Sequence, residues 1–135
     1  MSDGDEEEPT WLTRFIVERV HAEQIREHGG DSEIRDESLL EAALARPTNT
    51  YAYDDDADLF DLASEYAFGL TRNHPFVDGN KRTSFLAAYV FLSLNGWELV
   101  ADEREVVSIV TALSSGDIEA EAFARWLREK SNEIG

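Results

Sequence analysis

The run His74-Pro75-Phe76-Val77-Asp78-Gly79-Asn80-Lys81-Arg82-Thr83-Ser84 holds nearly every side-chain type a phosphate site could use. Gly79 allows a turn with positive φ, and a helix starting there presents free backbone N–H groups with the helix dipole behind them. Lys81 and Arg82 add two fixed positive charges, and Arg can fork two bonds to one phosphate. Asp78 could hold a Mg²⁺, since that ion takes one or two carboxylates and completes its shell with phosphate oxygens and water. Asn80 could orient a further phosphate oxygen. His74 can take a proton from an attacking hydroxyl near neutral pH. A base, a metal carboxylate and a positive nest at a helix start together describe attack by a hydroxyl on a nucleotide phosphate. No glycine-rich Walker loop accompanies them, so this is not an ordinary nucleotide-hydrolase site.

A purely structural explanation competes. Asp78-Gly79-Asn80 is a good loop-to-helix cap, Pro75 and Phe76 a good staple into a core, and Arg82 could pair with a surface carboxylate. Against it stands the placement of lysine: the chain has ten Arg and two Lys, and one of those two is Lys81.

The elements that must position this run are read from hydrophobic spacing. Ile16, Val17, Val20, Gln24 and Ile25 predict a first helix over about 14–28, stopped by Gly29-Gly30. Asp36 is an N-cap for a second helix carrying Leu39, Leu40, Ala43 and Leu44, which Pro47 should end. Thr48 to Asp58, with Tyr51 and Tyr53 among aspartates, then reads as a loop. A third helix over about 58–72 places Leu59, Leu62, Ala63, Tyr66, Ala67 and Leu70 on one stripe before Pro75 forces a break. Phe85 to Leu94 is apolar on every side of a helical wheel, as expected of a central helix packed all round, closed by Asn95-Gly96. Trp97 to Val100 reads as extended. A helix after Asp102 should bury Val106, Val107, Ile109, Val110 and Leu113, and a last one after Asp117 should bury Ile118, Phe123, Trp126 and Leu127.

Other polar groups carry weaker signals. His21 and His28 with Glu18 form a poor metal set, because structural zinc wants four closed ligands; His21 and Gln24 are better read as facing a neighbouring helix. Arg35-Asp36 reads as a cap with a surface salt bridge, and Trp11, Trp97 and Trp126 as filling the core or its rim.

A length of 135 residues predicts one domain, over 10–135, behind an acidic leader at 1–9. The formal charge is −17, and without the leader 24 acids still face 12 bases. Such a surface repels phosphate backbones and speaks against direct nucleic-acid binding by a whole face. Acidity with scarce lysine also resembles proteins of salt-in halophiles. The absence of cysteine removes disulfides and thiolate chemistry. With no long apolar segment and no secretory leader, no membrane association and a cytoplasmic location are expected.

At HPFVDGNKR the chain resembles the Fic/Doc superfamily, and within it the Doc, or death-on-curing, toxins of type II toxin-antitoxin systems. That family's pattern is His, any residue, Phe, any residue, Asp or Asn, Gly or Ala, Asn, Lys, Arg, and it is met at every position. VHAEQIREHGG, IRDESLLEAALARP, YAFGLTRNHPFVDGNKRTSF and FLSLNGWEL are Doc-like as well, so the resemblance covers about residues 13–130. It implies an all-α fold: a Fic/Doc-type helical bundle around a central buried helix, with at most a short hairpin. It implies ATP and Mg²⁺ as cofactors, with His74 as base and Asp78 as metal ligand. Asn80, Lys81 and Arg82 would be phosphate binders, Gly79 the shaper of the nest, and Phe76 an anchor in the core. Fic adenylyltransferases carry Gly at the place of Lys81 and Arg at the place of Phe85; the Doc arrangement found here implies transfer of the γ-phosphoryl group. The implied substrate is a Ser/Thr hydroxyl of elongation factor Tu or its archaeal equivalent, with AMP transfer, or a non-catalytic module acting through its antitoxin complex, as alternatives. Self-silencing Fic proteins carry Ser/Thr-x-x-x-Glu-Gly/Asn; Ser115 to Glu119 is followed by Ala120, so control is expected from a Phd-like antitoxin. By analogy, the 47–58 segment would dock the target.

Overall fold

A computed structural model describes residues 8–135; the leader expected over 1–9 lies, but for Glu8 and Pro9, outside the described residues. Helix α1 is Arg14–His28, as its spacing predicts. Thr13 caps it by accepting from the Ile16 N–H, and Gly29 at φ +88 ends it with its own N–H on the Ile25 carbonyl.

The second helix departs from expectation. Asp36 caps it as predicted, accepting from the Leu39 N–H at 3.0 Å, but α2 runs from Glu37 to Tyr53, straight through Pro47. The expected tyrosine loop is therefore mostly the last turns of this helix. An interior proline costs an isolated helix about 3 kcal/mol through its missing N–H and ring clash. Packing overrides that cost here. Leu40, Ala43 and Pro47 are buried, and α2 lies so close to the next helix that a Cβ on Gly69 would come within 3.1 Å of the Ala43 Cα. Trp11 holds the final turn by an edge contact to Tyr51 at 5.5 Å.

Helix α3 (Leu59–Asn73) begins at a reciprocal capping box between Asp58 and Asp61 and buries Phe60, Leu62, Ala63, Tyr66, Ala67 and Leu70. The Tyr66 hydroxyl accepts from the Leu12 N–H at 3.0 Å, and burial pushes its pKa up to about 12. Helix α4 (Asn80–Leu94) is the central helix, touching α1, α3 and the two elements that directly follow it. It buries Ala87, Ala88, Phe91 and Leu92, while Phe85, Leu86, Tyr89 and Val90 stay half-buried, so one stripe is less enclosed than an all-round packing predicts.

Strand β1 (Trp97–Leu99), helices α5 (Glu103–Ser115) and α6 (Ala120–Lys130) and strand β2 (Ser131–Glu133) complete the chain. The strands pair antiparallel, Glu98 opposite Asn132, so the sheet is not a local hairpin but a closure of the C-terminus onto the end of α4. Asp102 caps α5 as predicted, yet Val107 is exposed, not inside. Ile118 is half-buried in the turn before α6, which buries Phe123, Trp126 and Leu127. Trp126 is in the core, and Trp11 and Trp97 pack at its rim. The fold is thus all-α with one minimal sheet. No helix among the described residues is long and apolar enough to cross a membrane.

Candidate active site

The loop between α3 and α4 is built by helix-terminus chemistry. α3 ends on His74 at φ 55, ψ 52, the left-handed region, the one non-glycine residue with positive φ among those described. The presence of a Cβ makes that conformation cost roughly 1–2 kcal/mol, so surrounding contacts must hold it. Phe76 is buried in the core with its ring stacked on His21, centroids 3.7 Å apart and planes within 9°. Gly79, at φ +83, starts α4, and among the described residues no side chain caps that start. The first intrahelical bond runs from the Thr83 N–H to the Gly79 carbonyl, so the amides of residues 80, 81 and 82 have no partner among the described residues. These are the free donors of a helix N-terminus, with the dipole favouring an anion.

Lys81 and Arg82 stand exposed beside those amides, and no carboxylate lies within ion-pair distance of either among the described residues. Arg82 does not pair with a surface acid; its Nη1 lies 3.4 Å from the His28 Nε2. Both cations line a cleft of about 570 Å³ between α1, α4 and α5, together with Glu27, Glu103 and an apolar face that includes Phe85, Leu86, Tyr89, Val106 and Val110. His74 and Asp78 lie outside that cleft's lining, so the predicted site residues are divided between the cleft and the loop that precedes α4.

Asp78 is exposed, with Oδ2 accepting from the Asp31 N–H at 2.8 Å and its carbonyl 2.8 Å from the His21 Nε2. Gly30 permits this approach, since a Cβ there would sit 3.0 Å from the Asp78 Cβ. Among the described residues no three His, Cys, Asp or Glu gather around a cation position. A Mg²⁺ here would therefore have Asp78 as its protein carboxylate and take its remaining oxygens from phosphate and water, a donor set that ion accepts.

Asn80 is buried and its amide is fully spent: Oδ1 accepts from the Phe76 N–H at 3.0 Å, while Nδ2 donates to the Phe76 carbonyl at 2.9 Å and faces the His74 Nδ1 at 3.1 Å. A direct bond from this amide to a phosphate would require breaking that set. Because Oδ1 is fixed by Phe76, an N–H faces the imidazole, so Nδ1 accepts and the neutral ring carries its proton on Nε2. Whichever nitrogen takes a substrate proton, the ring must first release Asn80.

Three positions read otherwise from sequence belong to this site. His21 and Gln24 face the 78–79 loop and not a neighbouring helix flank; the Gln24 Nε2 would be 1.9 Å from a Cβ at Gly79. Arg35 makes no salt bridge with Asp36 but donates to the carbonyls of His74 (2.8 Å) and Asn73 (3.0 Å). A buried polar pair one turn apart on an apolar stripe is the signal that could have placed His21 and Gln24; nothing local marks Arg35.

Burial holds the His21 imidazole below its ordinary pKa, outweighing the opposite pull of the Asp78 carbonyl. The unfolded ring therefore binds a proton at a pH where the folded ring does not. Its contribution is complete above about pH 6.5 and is lost as pH falls through the lower folded value. Urea unfolding at stepped pH should show stability falling below about pH 6.5, with His21→Gln flattening that limb; an unchanged limb would contradict the assignment.

A sequence profile of the Fic/DOC family matches residues 11–92. The chain is similar to a protein of Mycolicibacterium smegmatis (strain ATCC 700084 / mc(2)155) named Toxin Doc, 49% identical over 75 residues, which are 55% of this chain and 58% of that one. It is also similar to the Protein kinase doc of Escherichia phage P1, 32% identical over 109 residues, 81% of this chain and 86% of that one.

Proposed function

The chain belongs to the Fic/DOC family, and we propose that it is a Doc-type toxin: a protein kinase moving the γ-phosphoryl group of ATP to a Ser/Thr hydroxyl of a translation elongation factor. The target would be elongation factor Tu or its archaeal equivalent, and a Phd-like antitoxin would restrain the toxin. The observation that carries this reading is the uncapped start of α4, where three amides and the cations of Lys81 and Arg82 stand together without a hydrogen-bonding or carboxylate partner, respectively, among the described residues. That arrangement suits a chain of phosphates in an otherwise acidic protein.

Each group then has a task. The amides of 80–82, with Lys81 and Arg82, bind the phosphate oxygens and stabilise charge on the leaving diphosphate. Asp78 would hold Mg²⁺, which when bound supplies further neutralisation of the phosphate oxygens. Asn80 works through its backbone N–H and through the loop shape its side chain enforces. His74 takes the proton as the hydroxyl oxygen bonds to the γ-phosphorus; the bond from that phosphorus to the bridging oxygen breaks, and ADP leaves. A folding antitoxin tail that buried its apolar face in the cleft beside Lys81 and Arg82 would cover the two cations.

The test is incubation of the protein and Mg²⁺ with elongation factor and ATP labelled at either end of the triphosphate. Label passing from the γ-position is expected. Label from the α-position would establish AMP transfer instead, and growth arrest without any labelling would reduce the protein to a binding module.

A further inference from the structure

Resting on that phosphotransfer reading, we propose that Arg35 is the positioning residue for the proton-accepting imidazole. His74 occupies the left-handed region without being a glycine, and its ring makes one hydrogen bond, to Asn80, which it must give up to react. What keeps residue 74 in place during the reaction is therefore its backbone. Arg35 holds that backbone with a two-pronged grip, Nε on the His74 carbonyl at 2.8 Å and Nη2 on the Asn73 carbonyl at 3.0 Å. Both acceptors belong to the C-terminus of α3, where a cation is also favoured by the helix dipole.

The charge of Arg35 is not spent elsewhere. Asp36, its neighbour in sequence, turns its carboxylate to the Leu39 N–H and the Ser38 hydroxyl, and no ion pair among the described residues includes Arg35. The guanidinium extends a backbone ladder: the Arg35 and Asp36 N–H groups donate to the Pro75 carbonyl, the Val77 N–H donates to the Glu33 carbonyl, and Ile34 bridges to Phe76. That ladder uses main-chain atoms and survives a change of side chain at 35. Loss of the guanidinium therefore frees residue 74 specifically while the loop stays attached.

The experiment compares wild type, Arg35→Gln and Arg35→Lys by steady-state phosphotransfer, thermal melting and the backbone carbon shift of residue 74. For Arg35→Gln, kcat should fall roughly ten- to a hundred-fold, as expected when a reacting group is misplaced by about an ångström, with the KM for ATP within about two-fold. Arg35→Lys, which keeps a cation but places its donors on one nitrogen instead of a planar fork, should recover part of the loss, and added guanidinium ion should recover part of it in Arg35→Ala. Residue 74 should lose its left-handed carbon shift in folded Arg35→Gln. That shift decides the assignment even if the wild type transferred no phosphoryl group, an outcome that would sink the kinase reading alone. Retention of the left-handed shift, or a kcat that falls only with the folded fraction, overturns the assignment; should Arg35→Gln not fold, Arg35→Lys carries the same comparison.

Discussion

Replacing His74 by alanine should slow phosphotransfer to the elongation factor by about 10²–10⁴-fold, the usual worth of a positioned general base. The fold should persist. His74 is exposed, its ring makes a single hydrogen bond, and its left-handed backbone is held by contacts to its carbonyl that alanine retains. Stability should therefore shift by no more than about 1 kcal/mol, within the range of exposed substitutions that remove no core packing. Nucleotide affinity should change little as well, since the amides and cations at the start of α4 are untouched. Rate of γ-label transfer, calorimetric binding of ATP with Mg²⁺, and thermal melting separate these three quantities. Wild-type labelling by His74→Ala would remove the imidazole from the mechanism, and loss of ATP binding with the rate would show that it holds the nucleotide and does not take the proton.

The reach of the sequence follows from the range of the forces involved. Caps at Thr13, Asp36, Asp58 and Asp102 and the stops at Gly29 and Asn95 are local hydrogen-bonding events, and they stand where residue types put them. Gly79 in the left-handed region is local too, and with it the uncapped start of α4 was legible. What failed was set by distant packing. Pro47 is a strong local stop, yet it is buried, and Gly69 lets α2 and α3 close on each other beside Ala43. The partner of β1 lies beyond two helices, so no turn signal announced it. Asn80 has the chemistry of a phosphate ligand, but the Phe76 peptide four residues earlier competes for its amide and wins. Arg35 lies 39 positions from the carbonyl it holds, and only the crossing of the 33–36 segment over the loop reveals it.

Gly79 offers the sharpest separation between shape and charge at this site. Gly79→Ala keeps every charged group, yet it should destabilise the protein by about 2–5 kcal/mol and weaken ATP binding at least as strongly as removal of one cation. Two independent costs add. An L-residue at φ +83 is strained by roughly 1–2 kcal/mol. The new Cβ would also stand 1.9 Å from the Gln24 Nε2 and 3.2 Å from the Ile25 Cδ1, contacts that cannot be kept. Gln24 is buried, so pushing its amide aside leaves a polar group short of partners, at about 1–3 kcal/mol. Relief by rotation of the 78–79 peptide is opposed by His21, whose ring is stacked on Phe76 and bonded to the Asp78 carbonyl. Relaxation of the strained backbone at residue 79 would turn the amides of 80–82 away from their common direction. Urea unfolding and ATP calorimetry on Gly79→Ala and Gly79→Ala/Gln24→Ala measure both consequences. The double variant removes the side-chain clash but not the backbone strain, so it should recover part of the stability lost by the single variant relative to Gln24→Ala alone. If the single variant bound ATP as tightly as wild type, the directed amides would not be the phosphate donors, and the affinity would have to come from Lys81 and Arg82 alone.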